Sequence, residues 1–430
     1  INGHDYSDFL TYEQLEAQAT AVCFFLEDIG FRKEIACTVI PTCHEFAVFF
    51  LGVIQRGGTI SGASALFTEY ELERQLTDCD CSILLTHIQH LSLVQRASRK
   101  LAKLKAIIVV GASLEKPLPS GCARWENVLR TRSNSSLPPI QIDLDRDVAL
   151  LPYSSGTTGV PKGVKLTHRA FGSMLKIMVD FFRRVESEPP LKDVDFRHEH
   201  SLVFTPSSHV FGFGVLSIGL CKGITSVLLS KFEPRDFCRA IQEFKIKQLS
   251  VVPPTLVFLA KSPVCDEFDL SSLRLLTCGA APAGRDLCFE VQRRHRSIQF
   301  IQQSYGMTEA SIASHLGDAR SRLKPGSVGK IAPALVGKII DPETGAECPP
   351  GVPGEICVKG PTIMLGYRNR PEATRETIKD GWLHTGDIGY VDDEGDHFIV
   401  DRLKELIKVK GFQVPPAELE DLLLSHPLIA

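Results

Sequence analysis

Residues 153–163 combine glycines, hydroxyls and a lysine in the order Tyr-Ser-Ser-Gly-Thr-Thr-Gly-Val-Pro-Lys-Gly. Glycines let the backbone approach an anion closely and turn its N–H groups toward it. The hydroxyls add donors, and Lys162 adds a mobile positive charge. The segment differs from a Walker loop, because Gly156 and Gly159 are too close together and Gly163 follows the lysine. A surface turn is the alternative, but the closing Pro-Lys-Gly favours a polyphosphate-binding loop.

A second segment, residues 300–309, reads Phe-Ile-Gln-Gln-Ser-Tyr-Gly-Met-Thr-Glu. After a strand-like start come three residues with suitable chemistry. Tyr305 offers an aromatic ring for a base, Thr308 a hydroxyl for a phosphate and Glu309 a carboxylate for a cation. Mg²⁺ binds nucleotides through one or two carboxylates together with phosphate oxygens. Each residue alone is weak evidence, since a single glutamate after a strand is usually a surface residue. The ordered set predicts the base and metal side of a nucleotide site.

Two further residues are candidates for ribose contacts. Asp387 ends the run Gly-Trp-Leu-His-Thr-Gly-Asp at residues 381–387, and an acidic side chain can accept both hydroxyls of a ribose. Arg402 follows shortly afterwards. A surface ion pair of Arg402 with Asp401 or Glu405 is the alternative and would contribute little to stability. The presence of Asp387 upstream favours a ribose or phosphate contact for Arg402.

Small residues and a histidine are candidates for lining a pocket. Residues 278–282, Cys-Gly-Ala-Ala-Pro, end a strand-like run and would otherwise form an ordinary tight turn. His209 lies in residues 207–214, among glycines and phenylalanines that suit a pocket wall, although a lone histidine is more often a core residue. If the pocket binds a carboxylic acid, which is already ionised at neutral pH, a positioning role suits His209 better than general base catalysis.

These segments, in this order, resemble the signatures of the adenylate-forming enzymes, the superfamily of acyl-CoA synthetases, 4-coumarate–CoA ligases, beetle luciferases and peptide-synthetase adenylation domains. The resemblance extends over nearly the whole chain, from Thr11 to Glu420. It implies a set of nucleotide-binding residues: Ser154, Ser155, Gly156, Thr157, Thr158, Gly159, Lys162, Gly279, Ala280, Ala281, Tyr305, Gly306, Thr308, Asp387 and Arg402.

The resemblance also assigns catalytic and pocket roles. Glu309 is expected to hold Mg²⁺, Thr308 a phosphate, and His209 the acid or its adenylate. Ser304 departs from the glycine that is commoner at this position, so its side chain is expected to narrow the acyl pocket. The expected catalytic residues are Lys162, His209, Thr308, Glu309, Lys408 and Gln413, and the expected pocket residues are His209, Phe211, Phe213, Val215 and Ser304.

A small C-terminal domain is expected to serve the second half-reaction. By resemblance, Lys404 is the hinge, Lys408 and Gln413 contact the adenylate, and Gly411 leaves room for the pantetheine arm of coenzyme A. The expected domains are residues 1–402, a large adenylation domain, and residues 403–430, the start of the mobile one. This second domain is expected to be incomplete at Ala430, with a further adenylation lysine of the family lying downstream.

The activity implied is an ATP-dependent acid–thiol ligase that uses Mg²⁺ and coenzyme A. Fatty and aryl-propenoic acids both remain open as substrates. A luciferase-like monooxygenase would share every motif above. A carrier-protein adenylation domain would usually be joined to a carrier domain, and nothing in this sequence indicates one. A nucleotide-binding pseudoenzyme is the alternative of another class, disfavoured because Lys162, Glu309, Asp387 and Arg402 are all present. ATP binding without turnover would favour it.

The elements that must position these residues alternate between strand and helix. Helical periodicity follows a candidate N-cap at Thr11, and further helices are predicted over residues 43–56 and 91–104. Strands are predicted over 35–40, 82–86, 106–110, 201–204, 226–229, 248–252 and 273–278, and short strands with turns over 328–400. The pattern predicts an α/β fold in which a large domain of α/β layers and a β-rich subdomain precedes a small α+β domain.

The bulk composition is that of an ordinary globular protein. The chain has 430 residues, 43% hydrophobic and 23% charged, with a net charge of −3. That charge gives no argument for nucleic acid as a partner, and no apolar run reaches the length of a membrane span. The 13 cysteines match no common zinc or redox spacing. Reduced thiols in an intracellular compartment, cytoplasmic or peroxisomal, are expected, with small molecules as partners.

Overall fold

The computed structural model describes residues 8–131, 137–154, 161–188, 191–196, 198–317, 324 and 326–403. It adds the backbone of two short strands beyond them, Ile407–Val409 and Phe412–Val414. The α-helices in this part of the chain are α1 Tyr12–Asp28, α2 His44–Gln55, α3 Glu69–Cys79, α4 Leu91–Ala97, α5 Trp125–Leu129, α6 His168–Ser187, α7 Val210–Lys222, α8 Pro234–Phe244, α9 Pro253–Lys261, α10 Arg285–Arg294 and α11 Pro371–Thr377.

The strands alternate with these helices up to residue 303 and then follow one another closely. In chain order they are β1 Ile35–Val39, β2 Thr59–Gly62, β3 Ile83–His87, β4 Ala106–Val110, β5 Cys122–Arg124, β6 Val148–Leu150, β7 Tyr153–Ser154, β8 Lys162–Thr167, β9 His200–Val203, β10 Thr225–Leu228, β11 Gln248–Val251, β12 Leu275–Cys278, β13 Phe300–Gln303, β14 His315–Leu316, β15 Ser327–Ile331, β16 Val336–Ile340, β17 Gly354–Lys359, β18 Gly366–Tyr367, β19 Ile378–Lys379, β20 Trp382–Val391, β21 His397–Arg402, β22 Ile407–Val409 and β23 Phe412–Val414.

The largest sheet has nine strands in the order β18-β8-β6-β2-β1-β3-β4-β5, with β7 paired to β8. Its strands from β6 to β5 run parallel, and β8 is antiparallel to β6, β7 and β18. Strands such as Ala106–Val110 are buried along their whole length, as expected for a parallel sheet covered on both faces. The two strands that flank residues 155–160 therefore lie at an edge of this sheet.

Two smaller parallel sheets form a second α/β layer. β9 pairs with β10, and β11-β12-β13 make a three-stranded sheet. Helices α8, α9 and α10 cover them and share a core that includes Phe237, Leu256, Leu276 and Val291. The candidate segments at Gly279 and Ser304 each follow the carboxyl end of a strand in the three-stranded sheet, so neighbouring strands bring them together.

The predicted β-rich subdomain is an antiparallel sheet of seven strands in the order β14-β15-β21-β20-β17-β16, with β19 beside β20. In it, Asp387 on β20 lies opposite Arg402 on β21. The α/β class with a β-rich unit is confirmed. In the described part of the chain, no helix combines the length and the apolar character that a membrane crossing needs.

Local sequence explains several helix ends. Thr11 caps α1 through a capping box with Gln14, and Thr68 caps α3 in the same way with Glu71. The helix predicted over 43–56 is α2, and it stops where Gly57 takes a left-handed φ of +65°. The start of α1 and the end of α2 are thus readable from the capping residues and the glycine alone.

The helix predicted over residues 91–104 is wrong in its length, because α4 ends at Ala97. Past this point the chain turns toward β4, and its lysines pair with acidic side chains of neighbouring segments: Lys100 with Glu73 and Lys103 with Asp80. Leu101 and Leu104 pack against the core beneath. Tertiary contacts therefore override the helical periodicity.

Candidate active site

A cavity of about 2230 Å³ lies where the nine-stranded sheet, the three-stranded sheet and the antiparallel sheet meet. It collects candidate residues that are far apart in sequence. The candidates that line it are Ser154, Lys162, His209, Phe211, Val215, Gly279, Ala280, Ala281, Ser304, Tyr305, Gly306, Thr308, Glu309, Asp387 and Arg402.

Glu309 forms the acidic centre of one end of this cavity. It lies in the short 3₁₀ turn Thr308–Ala310 and is only 3% exposed. Its Oε1 accepts hydrogen bonds from the Ser154 hydroxyl and the Tyr367 hydroxyl, both at 2.8 Å. A buried carboxylate is stable only with such partners. The surrounding donor set is made of oxygens, which is the chemistry that Mg²⁺ prefers.

Lys162 approaches the same group from β8. Its Nζ lies 5.0 Å from the centre of the Tyr367 ring, a distance at which a cation is attracted to the ring face. Burial, with the charge of Glu309 adding to it, raises the pKa of Tyr367, so this phenol stays protonated and donates to Glu309. Tyr367 thus ties the lysine and the glutamate into one unit.

Asp387 forms a second polar centre. One carboxylate oxygen accepts a hydrogen bond from the Tyr305 hydroxyl, and the other lies 3.6 Å from Nε of Arg402. The Asp387 N–H donates to the Thr385 hydroxyl at 3.1 Å. Burial, followed by the Asp387 charge, raises the pKa of Tyr305 well above its usual value. A neutral phenol and a cation therefore orient the carboxylate that was predicted to contact ribose.

The turn after β13 depends on close backbone packing. A β-carbon on Gly306 would lie 2.0 Å from the Ile312 carbonyl oxygen, so only glycine fits there. The N–H of Ser314 donates to the carbonyl of Tyr305 at 2.9 Å. Ser311 adopts a left-handed φ of +68°, stabilised by its hydroxyl donating to the Thr362 carbonyl. Such backbone strain is common at functional sites.

An apolar wall adjoins the nucleotide side. The buried backbone of Gly279 packs on Phe211, where an added β-carbon would lie 3.3 Å from the ring. The next residue, Ala280, has a left-handed φ of +71°, which costs free energy for a residue with a side chain. Ser304 follows β13 on the same wall, and its hydroxyl oxygen has no hydrogen-bond partner in the described residues.

His209 caps α7 with a neutral imidazole ring. Its Nδ1 accepts a hydrogen bond from the Phe211 N–H at 3.2 Å. Its side chain faces the cavity, and the surrounding protein lowers the pKa of its imidazole by desolvation. The ring is therefore neutral at pH 7, which leaves Nε2–H as a donor for a substrate oxygen.

The prediction of Phe213 as a pocket residue is wrong. Its ring lies in the core, stacked on Phe171 at 5.2 Å and edge-on to Phe46 and Phe50. Residues 211 and 213 are two apart on α7, so they point to different sides of the helix. Phe211 faces the cavity, and Phe213 faces the core of the large sheet.

The structure does not describe the side chains of several candidate residues. Lys408 and Gln413 lie opposite each other in the β22–β23 hairpin, of which only the backbone is described. The other candidates outside the described residues are Ser155, Gly156, Thr157, Thr158, Gly159, Lys404 and Gly411.

The structure adds further polar residues to the cavity wall that were not candidates. Among them are Tyr367, Glu355 and His384. His384 lies within the 381–387 motif, so proximity to Asp387 in the sequence was a possible signal for it. Tyr367 and Glu355 belong to short strand segments whose local patterns carry no chemical signal, and only strand pairing brings them to the site.

Comparisons with known proteins identify the family of the chain. Residues 4–368 match the family model described as AMP-binding enzyme. The chain is 38% identical to 4-coumarate–CoA ligase 2 of Petroselinum crispum, covering 100% of this chain and 77% of the relative. It is 36% identical to 4-coumarate–CoA ligase 1 of Arabidopsis thaliana, covering 99% and 75%.

Two solved structures show the same fold. ATP-bound MatB from Rhodopseudomonas palustris superposes with a TM-score of 0.83 at 26% identity, over 97% of this chain and 78% of that one. The anthranilate CoA ligase AuaEII in complex with anthranoyl-AMP superposes with a TM-score of 0.85 at 25% identity, over 98% and 78%. The chain therefore belongs to the AMP-binding enzyme family and is an AMP-forming acid–thiol ligase.

Proposed function

We propose that this protein uses ATP to join a carboxylic acid with an apolar body, fatty or aryl-propenoic, to coenzyme A. The observation that carries the proposal is that one cavity holds the Lys162–Tyr367–Glu309 unit, the Asp387–Tyr305–Arg402 unit and the apolar wall. Relatives named 4-coumarate–CoA ligase and a neighbour named anthranilate CoA ligase support an aromatic acid.

In the proposed first step, an acid oxygen attacks the α-phosphorus of ATP. The bond to the bridging oxygen breaks, and pyrophosphate leaves with the electron pair. Lys162 would offset the charge of the leaving phosphates, and Asp387 would hold the ribose. Glu309 fits a Mg²⁺ ion that would neutralise phosphate charge. The protein's own contribution is mostly positioning and charge stabilisation.

In the proposed second step, the thiolate of coenzyme A attacks the acyl carbon. A carbon–sulfur bond forms, the bond between the acyl carbon and the AMP oxygen breaks, and AMP leaves. His209, neutral and held at Nδ1 by the Phe211 N–H, would donate from Nε2 to an oxygen of the acid or its adenylate. The proposed rearrangement about Lys404 would bring Lys408, Gln413 and Gly411 into play.

The direct test incubates the purified protein with MgATP, coenzyme A and a panel of fatty and aromatic acids, and searches for thioesters by mass spectrometry. A thioester of one class would support the proposal and identify the substrate. Acyl-AMP and pyrophosphate without a thioester would contradict the coenzyme A step and indicate another acceptor, such as oxygen or a carrier protein. ATP binding without AMP from any acid would contradict ligase activity altogether.

A further inference from the structure

Three side chains that commonly bind metals converge beside the ribose end of the cavity. Glu355 and Cys357 lie on β17, and His384 lies opposite Cys357 on the neighbouring strand β20. One donor atom from each residue lies within 4.8 Å of the other two. In the part of the chain that the structure describes, no other such group of three occurs. Neither the nucleotide contacts nor the acyl pocket uses these donors.

The donor separations suit a tetrahedral ion. His384 Nδ1 lies 2.8 Å from Glu355 Oε2 and 3.6 Å from Cys357 Sγ. Around Zn²⁺, bonds of about 2.0–2.3 Å separate neighbouring donors by roughly 3.3–3.6 Å. The nitrogen–sulfur separation already matches, and the nitrogen–oxygen separation needs to open by only about 0.5 Å.

The hydrogen bonds of Glu355 also leave one of its oxygens available for an ion. Glu355 Oε1 accepts the Gly386 N–H at 3.1 Å, so it stays with the backbone while Oε2 turns to His384. A cation would replace the proton shared by Nδ1 and Oε2 and leave the Gly386 contact intact. Glu355 and His384 line the cavity, so a fourth ligand can reach the ion from that side.

The charge and softness of the donors select the ion. One thiolate, one carboxylate and a neutral imidazole together carry a charge of about −2, which a divalent ion neutralises. Thiolate and imidazole suit Zn²⁺, Co²⁺ and similar ions, whereas Mg²⁺ prefers oxygen donors alone. The all-oxygen surroundings of Glu309 and the mixed donors around His384 therefore suit different cations.

We propose that Glu355, Cys357 and His384 form a second cation site that binds Zn²⁺ or a similar borderline-soft divalent ion. The site is separate from the Glu309 centre. Because Glu355 also holds the Gly386 N–H, just before Asp387, the ion ties the two strands together next to the ribose contacts.

The test titrates the metal-free protein with Co²⁺ in buffer without Mg²⁺. Coordination by Cys357 produces a thiolate-to-cobalt charge-transfer band in the near ultraviolet, which saturates at one ion per chain. Cys357→Ser removes the band, while the matched control Cys348→Ser, a partly buried cysteine of the same sheet region, retains it. Absence of a band in the unsubstituted protein, or an unchanged band in Cys357→Ser, would overturn the proposal.

Competition of Zn²⁺ with bound Co²⁺ measures the affinity of the protein for Zn²⁺. A second variant, Glu355→Gln, keeps an oxygen for the Gly386 N–H but loses the negative charge, so it retains the fold. Its affinity for Zn²⁺ should fall at least about 10-fold, since even outer-shell partners contribute about 10- to 100-fold. Circular dichroism verifies that each variant is folded. Equal affinity in Glu355→Gln, or displacement of Co²⁺ by equimolar Mg²⁺, would contradict a mixed-donor site.

Discussion

At the scale of single residues, the site works by pairing each charged group with a partner that sets its position. Glu309 is held by two hydroxyls, and Asp387 is held by a phenol and a guanidinium. These partners keep the carboxylates in place before a substrate arrives. Preorganised groups of this kind contribute most of the charge stabilisation in many enzymes.

Glu309→Gln should therefore impair the first half-reaction more than the fold. The glutamine oxygen can still accept from Ser154 and Tyr367, but the negative charge for a cation is lost. We expect acid-dependent pyrophosphate release to slow by about 10²- to 10³-fold, with a small change in thermal stability. Tyr367→Phe removes one hydroxyl donor and keeps the charge, so its loss should be much smaller. Equal losses in the two variants would contradict a role for the charge.

Ser304 should set the width of the acyl pocket. Ser304→Gly removes the side chain next to the wall formed by Gly279 and Phe211. The measured quantity is the ratio of kcat/KM for an acid with an added ring methyl to kcat/KM for the same acid without it. We expect Ser304→Gly to raise this ratio about 10-fold, because one methyl group contributes about 1–3 kcal/mol to discrimination in a pocket. Ser304→Ala keeps the β-carbon and loses only a hydroxyl that has no partner among the described residues, so its ratio should stay near that of the unsubstituted protein. The same ratio in all three proteins would exclude Ser304 from the pocket wall.

At the scale of elements, the site is built from strand ends and the turns that follow them. Gly279 follows β12, Ser304 and Tyr305 follow β13, and Asp387 and Arg402 pair across β20 and β21. Turns at strand ends can take unusual backbone angles because the sheet fixes the end from which they start. The positive φ angles of Ala280 and Ser311 fall in such turns.

Gly306→Ala tests the turn after β13. Its β-carbon would meet the Ile312 carbonyl oxygen and the Ala313 α-carbon at 2.0 and 2.5 Å, so the turn must shift. We expect unfolding free energy to fall by about 1–3 kcal/mol and ATP binding to weaken in parallel, measured by denaturant unfolding and calorimetry.

Gly172→Ala is the matched control for that substitution. Gly172 lies on the exposed side of α6, with no atom within 4 Å of an added β-carbon. The alanine should stabilise the helix by about 0.5–1 kcal/mol and leave ATP binding unchanged. Stability of Gly306→Ala equal to that of the unsubstituted protein would show that the turn can accommodate a side chain.

At the scale of the whole molecule, buried histidines should make stability depend on pH. His315 and His397 are both buried, with ring centres 4.3 Å apart. Burial lowers the pKa of each imidazole, that of His315 well below its usual value, and the neighbouring His397 lowers the pKa of His315 further. Both rings therefore remain neutral in the folded protein under mildly acidic conditions.

The sign of the effect follows from proton uptake. Above about pH 6.5 neither the folded protein nor the unfolded chain carries an extra proton on these histidines. Below that pH the unfolded chain takes it up while the folded protein does not, so stability falls as pH decreases, by at most about 1.4 kcal/mol per pH unit for each histidine. His315→Gln should flatten the slope of unfolding free energy below pH 6.5, measured by urea unfolding. The exposed His198→Gln is the control, and an undiminished slope in His315→Gln would contradict the assignment.

The sequence by itself determined the family, the α/β class and, apart from Tyr367 and Thr385, the polar residues that meet at Glu309 and Asp387. Its information is local: motifs such as 153–163 and 300–309 carry their chemistry in consecutive side chains, and caps such as Thr11 act within one turn. Such features can be recognised without knowledge of the fold because their groups interact with near neighbours in the chain.

The tertiary structure decided what depends on contacts between distant segments. Tyr367 joins Glu309 only because β18 pairs with β8, and Cys357 meets His384 only because β17 pairs with β20. Phe213 looked like its neighbour Phe211 in sequence, yet the helix turns it into the core. The end of α4 depended on partners from other elements. These outcomes depend on strand register, helix rotation and side-chain packing, which the order of residues along the chain does not display.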